Sequence, residues 1–131
     1  MQTISRHLRV SLVVLLLVGA GMLLPRLVAS REAIREVSIT ARDMSFYVEE
    51  IAAPNPTMAL TVGEQVKVTI RNEDKGMLHD FSIPEWGVRT GSVEWGTERS
   101  ITFRVPPTAS TPSYICTPHS AMMSGRIIVS K

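Results

Sequence analysis

The chain has 131 residues, 44% of them hydrophobic, which suffices for one domain with one core. Lys and Arg number 14 against 12 Asp and Glu, but Arg6, Arg9 and Arg26 lie in the first thirty residues, so the rest of the chain has 11 basic against 12 acidic side chains, or −1. Nucleic-acid binding requires a basic stripe, and the charge pattern beyond residue 30 therefore predicts no nucleic-acid partner.

The first thirty residues have the pattern of an export signal. Arg6 and Arg9 form a basic start, and an apolar run of fifteen residues follows at positions 10–24. A run of this length suits a signal peptide better than a membrane span, which needs about 20 residues, and small residues suited to cleavage lie at 28–30. Extended to Ala29, the same segment would be an uncleaved hydrophobic anchor helix. We favour the anchor, and the sequence leaves both alternatives open.

The chain is therefore predicted to have two parts. Residues 1–30 are expected to be a signal peptide or membrane anchor, and residues 31–131 an extracytoplasmic domain, in the periplasm or on the outer face of the cytoplasmic membrane. If it is not cleaved, the N-terminal segment attaches the domain to the membrane. The exported domain contains two histidines, His79 and His119, and one cysteine, Cys116.

Short alternating segments separated by turn residues indicate an all-β domain, since no long stretch has a 3.6-residue period. In the clearest segment, Val66, Val68 and Ile70 point to one face and their polar neighbours to the other. Eight candidate strands follow in chain order, at 37–41, 44–48, 58–62, 65–72, 79–83, 101–105, 113–116 and 126–130. Seven or eight short strands in about a hundred residues are typical of a β-sandwich.

The stretch YICTPHSAMM, residues 114–123, contains the only cysteine of the chain. In an oxidising compartment a single cysteine cannot form an internal disulfide, so Cys116 is buried and inert, paired with another chain, catalytic or a metal ligand. His119 follows it by three residues in the turn between the last two candidate strands, and Met123 follows by four more. His79, at the start of its own candidate strand, is the remaining imidazole. These neighbours favour metal binding.

Two imidazoles, a thiolate and a thioether form a set of borderline-to-soft donors that suits copper. Blue-copper sites have this set, with two His and one Cys in a trigonal plane and a weak axial Met. Thiol catalysis is less well supported, because no third residue that would orient the Cys–His pair is evident. We therefore predict one copper ion as the cofactor and no catalytic residues.

The same segments resemble the cupredoxins, the small blue-copper proteins of the plastocyanin, amicyanin, pseudoazurin and azurin group. CTPH, residues 116–119, matches the ligand loop of amicyanins and pseudoazurins, and HSAMMSG, residues 119–125, resembles the azurin HSALMKG. GMLHDFSI, residues 76–83, resembles their upstream ligand region. The resemblance covers residues 36–131. It implies a Greek-key β-sandwich of seven to eight strands that holds a single type 1 copper ion.

Carried over position by position, the resemblance makes His79, Cys116 and His119 the equatorial ligands. It makes Met123 the axial ligand, because the axial Met of the family usually precedes a Gly by two residues, as Met123 does. Amicyanins instead place the Met three residues after the His, a spacing that would select Met122. We prefer Met123 and keep Met122 as the alternative, since ligand spacing in such loops is restrictive but not absolute.

Two neighbours of the ligands carry further expectations. Asp80 stands where the family often has an Asn that ties the two ligand loops together, and a carboxylate can still accept a hydrogen bond from Thr117. Pro118 has no N–H, so we expect the Cys116 sulfur to receive one backbone hydrogen bond, from the Asp80 amide. Fewer donors leave more charge on sulfur, which favours Cu(II) and lowers the reduction potential relative to an azurin-like loop.

Other prominent side chains are assigned to the surface. The acidic pairs at 49–50 and 73–74 are interpreted as solvated. Met77 and Met122 are interpreted as packing residues that can contribute to an apolar rim around His119, and such a rim is the usual docking surface in the family that the sequence resembles.

The resemblance implies a one-electron carrier that cycles between Cu(II) and Cu(I), not an enzyme. We expect a monomer that exchanges electrons with redox protein partners docking near His119. The alternative is copper storage or delivery, which ranks second because Met122 is the only surplus donor near the ligands. A copper oxidase or nitrite reductase would need further histidines, and both available ones are already used.

Overall fold

The structure of the protein is a computed structural model, and it describes residues 33–49, 51–107 and 110–131. The predicted signal or anchor segment, residues 1–30, lies outside the described residues. Among the residues that are described, no helix has the length and apolar character needed to cross a membrane.

The described residues form nine β-strands and two short 3-10 turns, at Pro84–Trp86 and Thr117–His119. The strands in chain order are β1 (Ile34–Arg42), β2 (Ser45–Val48), β3 (Met58–Thr61), β4 (Gln65–Asn72), β5 (Ser82–Ile83), β6 (Val88–Arg89), β7 (Glu98–Arg104), β8 (Ser113–Ile115) and β9 (Ser124–Ser130). Each of the eight predicted segments overlaps a strand, and the two-residue β6 is an additional strand that was not predicted.

Two sheets make up the sandwich, with strand orders β2-β1-β4-β7 and β3-β9-β8-β5-β6. β1 runs parallel to β4, and β3 runs parallel to β9, while the other strand pairs are antiparallel. Because most neighbours in a sheet are not consecutive in the chain, the chain crosses repeatedly between the two sheets, as a Greek-key arrangement requires. The predicted all-β sandwich is confirmed.

The core lies between the inner faces of the two sheets. Val66, Val68 and Ile70 of β4 are buried in alternation with more exposed polar neighbours, as their spacing predicts. Three aromatic rings fill the centre, with centroids 5.5 to 6.4 Å apart, and they belong to Phe46, Phe81 and Tyr114. Burial of a side chain such as Phe contributes about 1.5–3 kcal/mol to stability, so this cluster, with Phe46 from one sheet and Tyr114 from the other, helps to hold the two sheets together.

One contact fixes how β8 and β9 approach each other. Tyr114 is paired with Gly125 across the two strands, and its hydroxyl donates a hydrogen bond to the Pro56 carbonyl at 2.5 Å. A Cβ atom on Gly125 would overlap the Tyr114 ring. The glycine is therefore required by the ring that covers it, and this pair sets the register of the two strands that flank residues 116–123.

Candidate metal centre

The loop between β8 and β9 carries three of the four predicted ligands. The Cys116 amide donates to the Met123 carbonyl at 3.0 Å, which closes the loop at its base. Within it, the amides of His119 and Met123 donate to the carbonyls of Cys116 and His119 at 3.0 and 2.9 Å. Pro118 lies in the first turn of the short 3-10 segment, where its fixed φ suits the turn and its missing N–H costs no hydrogen bond.

His79 reaches the loop from the neighbouring part of the same sheet. It lies just before β5, which pairs with β8 through Ser82 and Ile115. Only Ser82–Ile83 of the predicted strand 79–83 is a strand; His79 itself forms an isolated β-bridge with Val93, with hydrogen bonds of 3.3 and 2.7 Å. Its side chain is buried.

The structure brings three of the predicted donors together. The Cys116 sulfur lies 3.5 Å from Nδ1 of His79 and 3.6 Å from Nδ1 of His119, and the two nitrogens are 3.3 Å apart. Metal–nitrogen and metal–sulfur bonds in proteins are about 2.0–2.3 Å long, so three donors around one ion are separated by about 3.5 Å. The triangle therefore has the size and the donor chemistry of a site for a single copper ion.

The two methionines of the loop face opposite ways. Met123 is fully buried, whereas Met122 is 57% exposed. A ligand to an enclosed ion must itself be directed inward, so burial favours Met123 over Met122 as the axial donor. The exposure of Met122 agrees with its interpretation as part of a surface rim.

The environment of Cys116 makes its thiolate costly without a cation. Burial raises the pKa of the thiol, and the nearby Asp80 charge adds to this, while hydrogen bonds from the amides of Asp80 and His119 lower the pKa in part. Metal binding requires the thiolate, so a bound cation would offset the cost of burial. The expectation of one amide donor is wrong: Asp80 contributes as expected, but the His119 amide also contributes, because the tight turn brings it near the sulfur.

Asp80 ties the two ligand segments together. One carboxylate oxygen accepts a hydrogen bond from the Thr117 amide at 2.5 Å, so the expected tie is present. The other oxygen accepts from Nε of Arg89 at 2.9 Å. Arg89 was not among the residues singled out from the sequence. It lies on β6 opposite Ser82 of β5, so its approach to Asp80 depends on the pairing of these two strands and not on any local sequence pattern.

Asp74 corrects the interpretation of the acidic pair at 73–74. Its carboxylate is not on a solvated face, because Oδ2 lies 2.9 Å from Nε2 of His79. The two oxygens also accept hydrogen bonds from the amides of Asp43 and Met44, at 2.7 and 3.1 Å. Burial alone would raise the pKa of Asp74, but these hydrogen bonds and His79 lower it, and the net result is a lowered pKa. Glu73, by contrast, is exposed as expected.

The surface beside the ligand segments is apolar. Met77 and Leu78 directly precede His79 in the chain, and both side chains are exposed. They line a shallow depression together with Trp95, which is exposed as well.

The ligand loop also reaches the surface. His119 is only half-buried, and Met122, three residues after it, is exposed.

Comparison with known proteins agrees with this geometry. Residues 34–130 match the family described as copper binding proteins, plastocyanin/azurin family. Rusticyanin from Thiobacillus ferrooxidans is 30% identical to this chain, with a TM-score of 0.56 over 74% of this chain and 77% of its own. A comparison with curated protein sequences gave no match.

Two further solved structures share the fold. Auracyanin A, a "blue" copper protein from Chloroflexus aurantiacus, is 14% identical, with a TM-score of 0.58 over 75% of this chain and 100% of its own. A mutant of amicyanin in the Cu(I) state is 19% identical, with a TM-score of 0.50 over 72% of this chain and 82% of its own. At these identities the similarity concerns the fold alone.

The family match covers both ligand segments, and the three converging donors fit a single type 1 copper site, as the sequence predicts. Such proteins are in general blue copper electron carriers. The chain belongs to the plastocyanin/azurin family of copper-binding proteins and is a cupredoxin.

Proposed function

We propose that the protein is an extracytoplasmic one-electron carrier, not an enzyme, with a single type 1 copper ion. The proposed ligands are His79, Cys116, His119 and Met123. When bound, the copper ion supplies the Cu(II)/Cu(I) couple. The observation that carries the proposal is the triangle of donor atoms, with edges of 3.3 to 3.6 Å.

The chain's own contribution is to hold these donors in place. The hydrogen bond that closes residues 116–123 and the Asp80–Thr117 tie fix the loop from two sides. Donors held in this way change position little when the charge at the site changes, which is the condition for fast electron exchange. His119, half-buried and on the loop, is the route by which electrons would reach the surface.

We further propose that redox protein partners dock on the apolar surface beside His119, and that the carrier is a monomer. The exposed Met77, Leu78 and Met122 support this, because exposed apolar side chains near a site mark contact surfaces. The apolar N-terminal segment, with its basic start, supports export and attachment to a membrane if it is not cleaved.

The visible spectrum of the copper-loaded protein tests the site. We expect intense thiolate-to-copper absorption, loss of that band in Cys116→Ser, and a reversible one-electron wave in voltammetry. A colourless protein, or a Cys116→Ser variant that keeps the band, would refute the ligand assignment.

Cell fractionation and the intact mass of the mature chain test export and cleavage, and recovery in the cytoplasmic fraction would refute the proposed location.

A further inference from the structure

We propose that Asp74 is a positioning residue for copper: it holds His79 in the tautomer and orientation that the metal requires. This inference rests on the proposed role of His79 as a ligand. Asp74 lies five residues before His79, on the segment that connects β4 to the site. Its carboxylate contacts the ring nitrogen that faces away from the donor triangle.

The contacts of His79 determine which nitrogen carries the proton. A neutral imidazole has one N–H donor and one acceptor nitrogen. A carboxylate oxygen of Asp74 lies 2.9 Å from Nε2, and a carboxylate accepts hydrogen bonds, so in the neutral ring the hydrogen at this contact is on Nε2. Nδ1 then keeps its lone pair, and it is this atom that lies 3.5 Å from the Cys116 sulfur. The contact with Asp74 thus holds the buried ring in the tautomer and orientation that a metal at Nδ1 requires.

Asp74 is itself held in place by the turn between β1 and β2. The amides of Asp43 and Met44 donate to its two oxygens, and both residues have positive φ, of 51° and 56°. Positive φ is unfavourable for a side chain such as Met. A carboxylate that binds both amides stabilises this turn, and the turn orients the carboxylate toward His79.

A second anchor lies on the other side of Asp74. Its amide donates to Oδ1 of the buried Asn72 at 2.9 Å. Nδ2 of Asn72 donates to the carbonyls of Met77 and Val93, at 2.8 and 2.9 Å. Asn72 therefore holds the segment that leads to His79 at two points, Asp74 and Met77.

The metal-free protein tests the tautomer directly, by long-range proton–nitrogen NMR of the histidine rings in the full chain. We expect His79 to be the Nε2–H tautomer, with a proton that exchanges slowly with water. In Asp74→Asn an amide NH₂ replaces one oxygen, so at least one of the three donors loses its acceptor, and we expect faster exchange at Nε2. The Nδ1–H tautomer in the unmodified protein would overturn the inference, whether or not copper binds.

The copper-loaded protein tests the consequence, and Glu73 provides a matched control. Glu73→Gln removes one negative charge from the adjacent residue, whose carboxylate faces Arg71 at 3.6 Å. We expect Asp74→Asn to weaken Cu(II) binding by about 10–100-fold and to raise the reduction potential, while Glu73→Gln changes neither beyond about twofold in affinity. Equal shifts in the two variants would show a general charge effect and overturn the positioning role. If Asp74→Asn does not fold, the NMR result on the unmodified protein decides.

Discussion

Asp80 and Arg89 form an ion pair of 2.9 Å in which the carboxylate is buried at 1% exposure and the arginine side chain is 56% exposed. The pair places a compensated negative charge beside the Cys116 sulfur, on the segment that follows His79. In the family to which this chain belongs, an uncharged Asn often occupies the position of Asp80. Arg89 thus supplies the charge balance that an Asn would not need.

Arg89→Gln should therefore lower the reduction potential, because the uncompensated Asp80 charge favours Cu(II). The variant should also lose about 1 kcal/mol of stability, since a buried acceptor loses its charged donor but water can reach the vacated side. Voltammetry and urea unfolding measure the two effects. The double variant with Asp80→Asn should recover most of the potential, and an unchanged potential in Arg89→Gln alone would contradict the argument.

Pro118→Ala should raise the reduction potential. The alanine restores a backbone N–H two residues after Cys116, and a further donor to the sulfur withdraws charge from it and disfavours Cu(II). Voltammetry of the copper-loaded protein checks the direction, and an unchanged or lower potential would count against a role of Pro118 in tuning. The visible band should remain, since all four proposed ligands are kept.

Met123→Leu and Met122→Leu form a matched pair that tests the axial ligand. Loss of a weak axial thioether should shift the visible spectrum and raise the potential, because the axial donor tunes the couple. We expect these changes for the buried Met123 and little change for the exposed Met122. The opposite result would assign the axial position to Met122, which is the amicyanin-like spacing.

Gly125→Ala should destabilise the fold by about 1–3 kcal/mol or more, since the added methyl group meets the Tyr114 ring in a filled core. Ser124→Ala, at the exposed neighbouring position, is the control and should be nearly neutral. Urea unfolding of both variants measures the difference. Equal stabilities would mean that the ring moves aside at little cost, and that Gly125 does not set the register of β8 and β9.

The fold could be predicted from the sequence wherever it depends on a pattern within one short segment. The alternation of Val66, Val68 and Ile70 depends only on the two-residue period of a strand, and the structure buries all three. His79 departs from the predicted strand because its partner, Val93, is fourteen residues away and pairs with it in a single bridge. A bridge of this kind has no periodicity, so it cannot be read from the sequence of either segment.

The ligand set could be proposed from residue types and spacing, but the residues that support it could not. Glu73 and Asp74 are adjacent acids with the same local pattern, yet only Asp74 turns inward to His79. Which of two neighbours turns inward depends on the backbone of the loop and on amides thirty residues earlier in the chain. Arg89 reaches Asp80 for a similar reason, through the pairing of β5 and β6.

The single hydrogen bond between the Cys116 amide and the Met123 carbonyl has a consequence for how this protein can change. The loop residues between Cys116 and Met123 lie beyond the last paired positions of β8 and β9. The Tyr114–Gly125 contact keeps these two strands in register. Substitutions of the exposed side chains at 117, 118 and 120–122 can therefore alter the surroundings of the metal while the paired strands are kept. The sandwich and the ligand loop are separable, and copper properties can diverge while the fold stays the same.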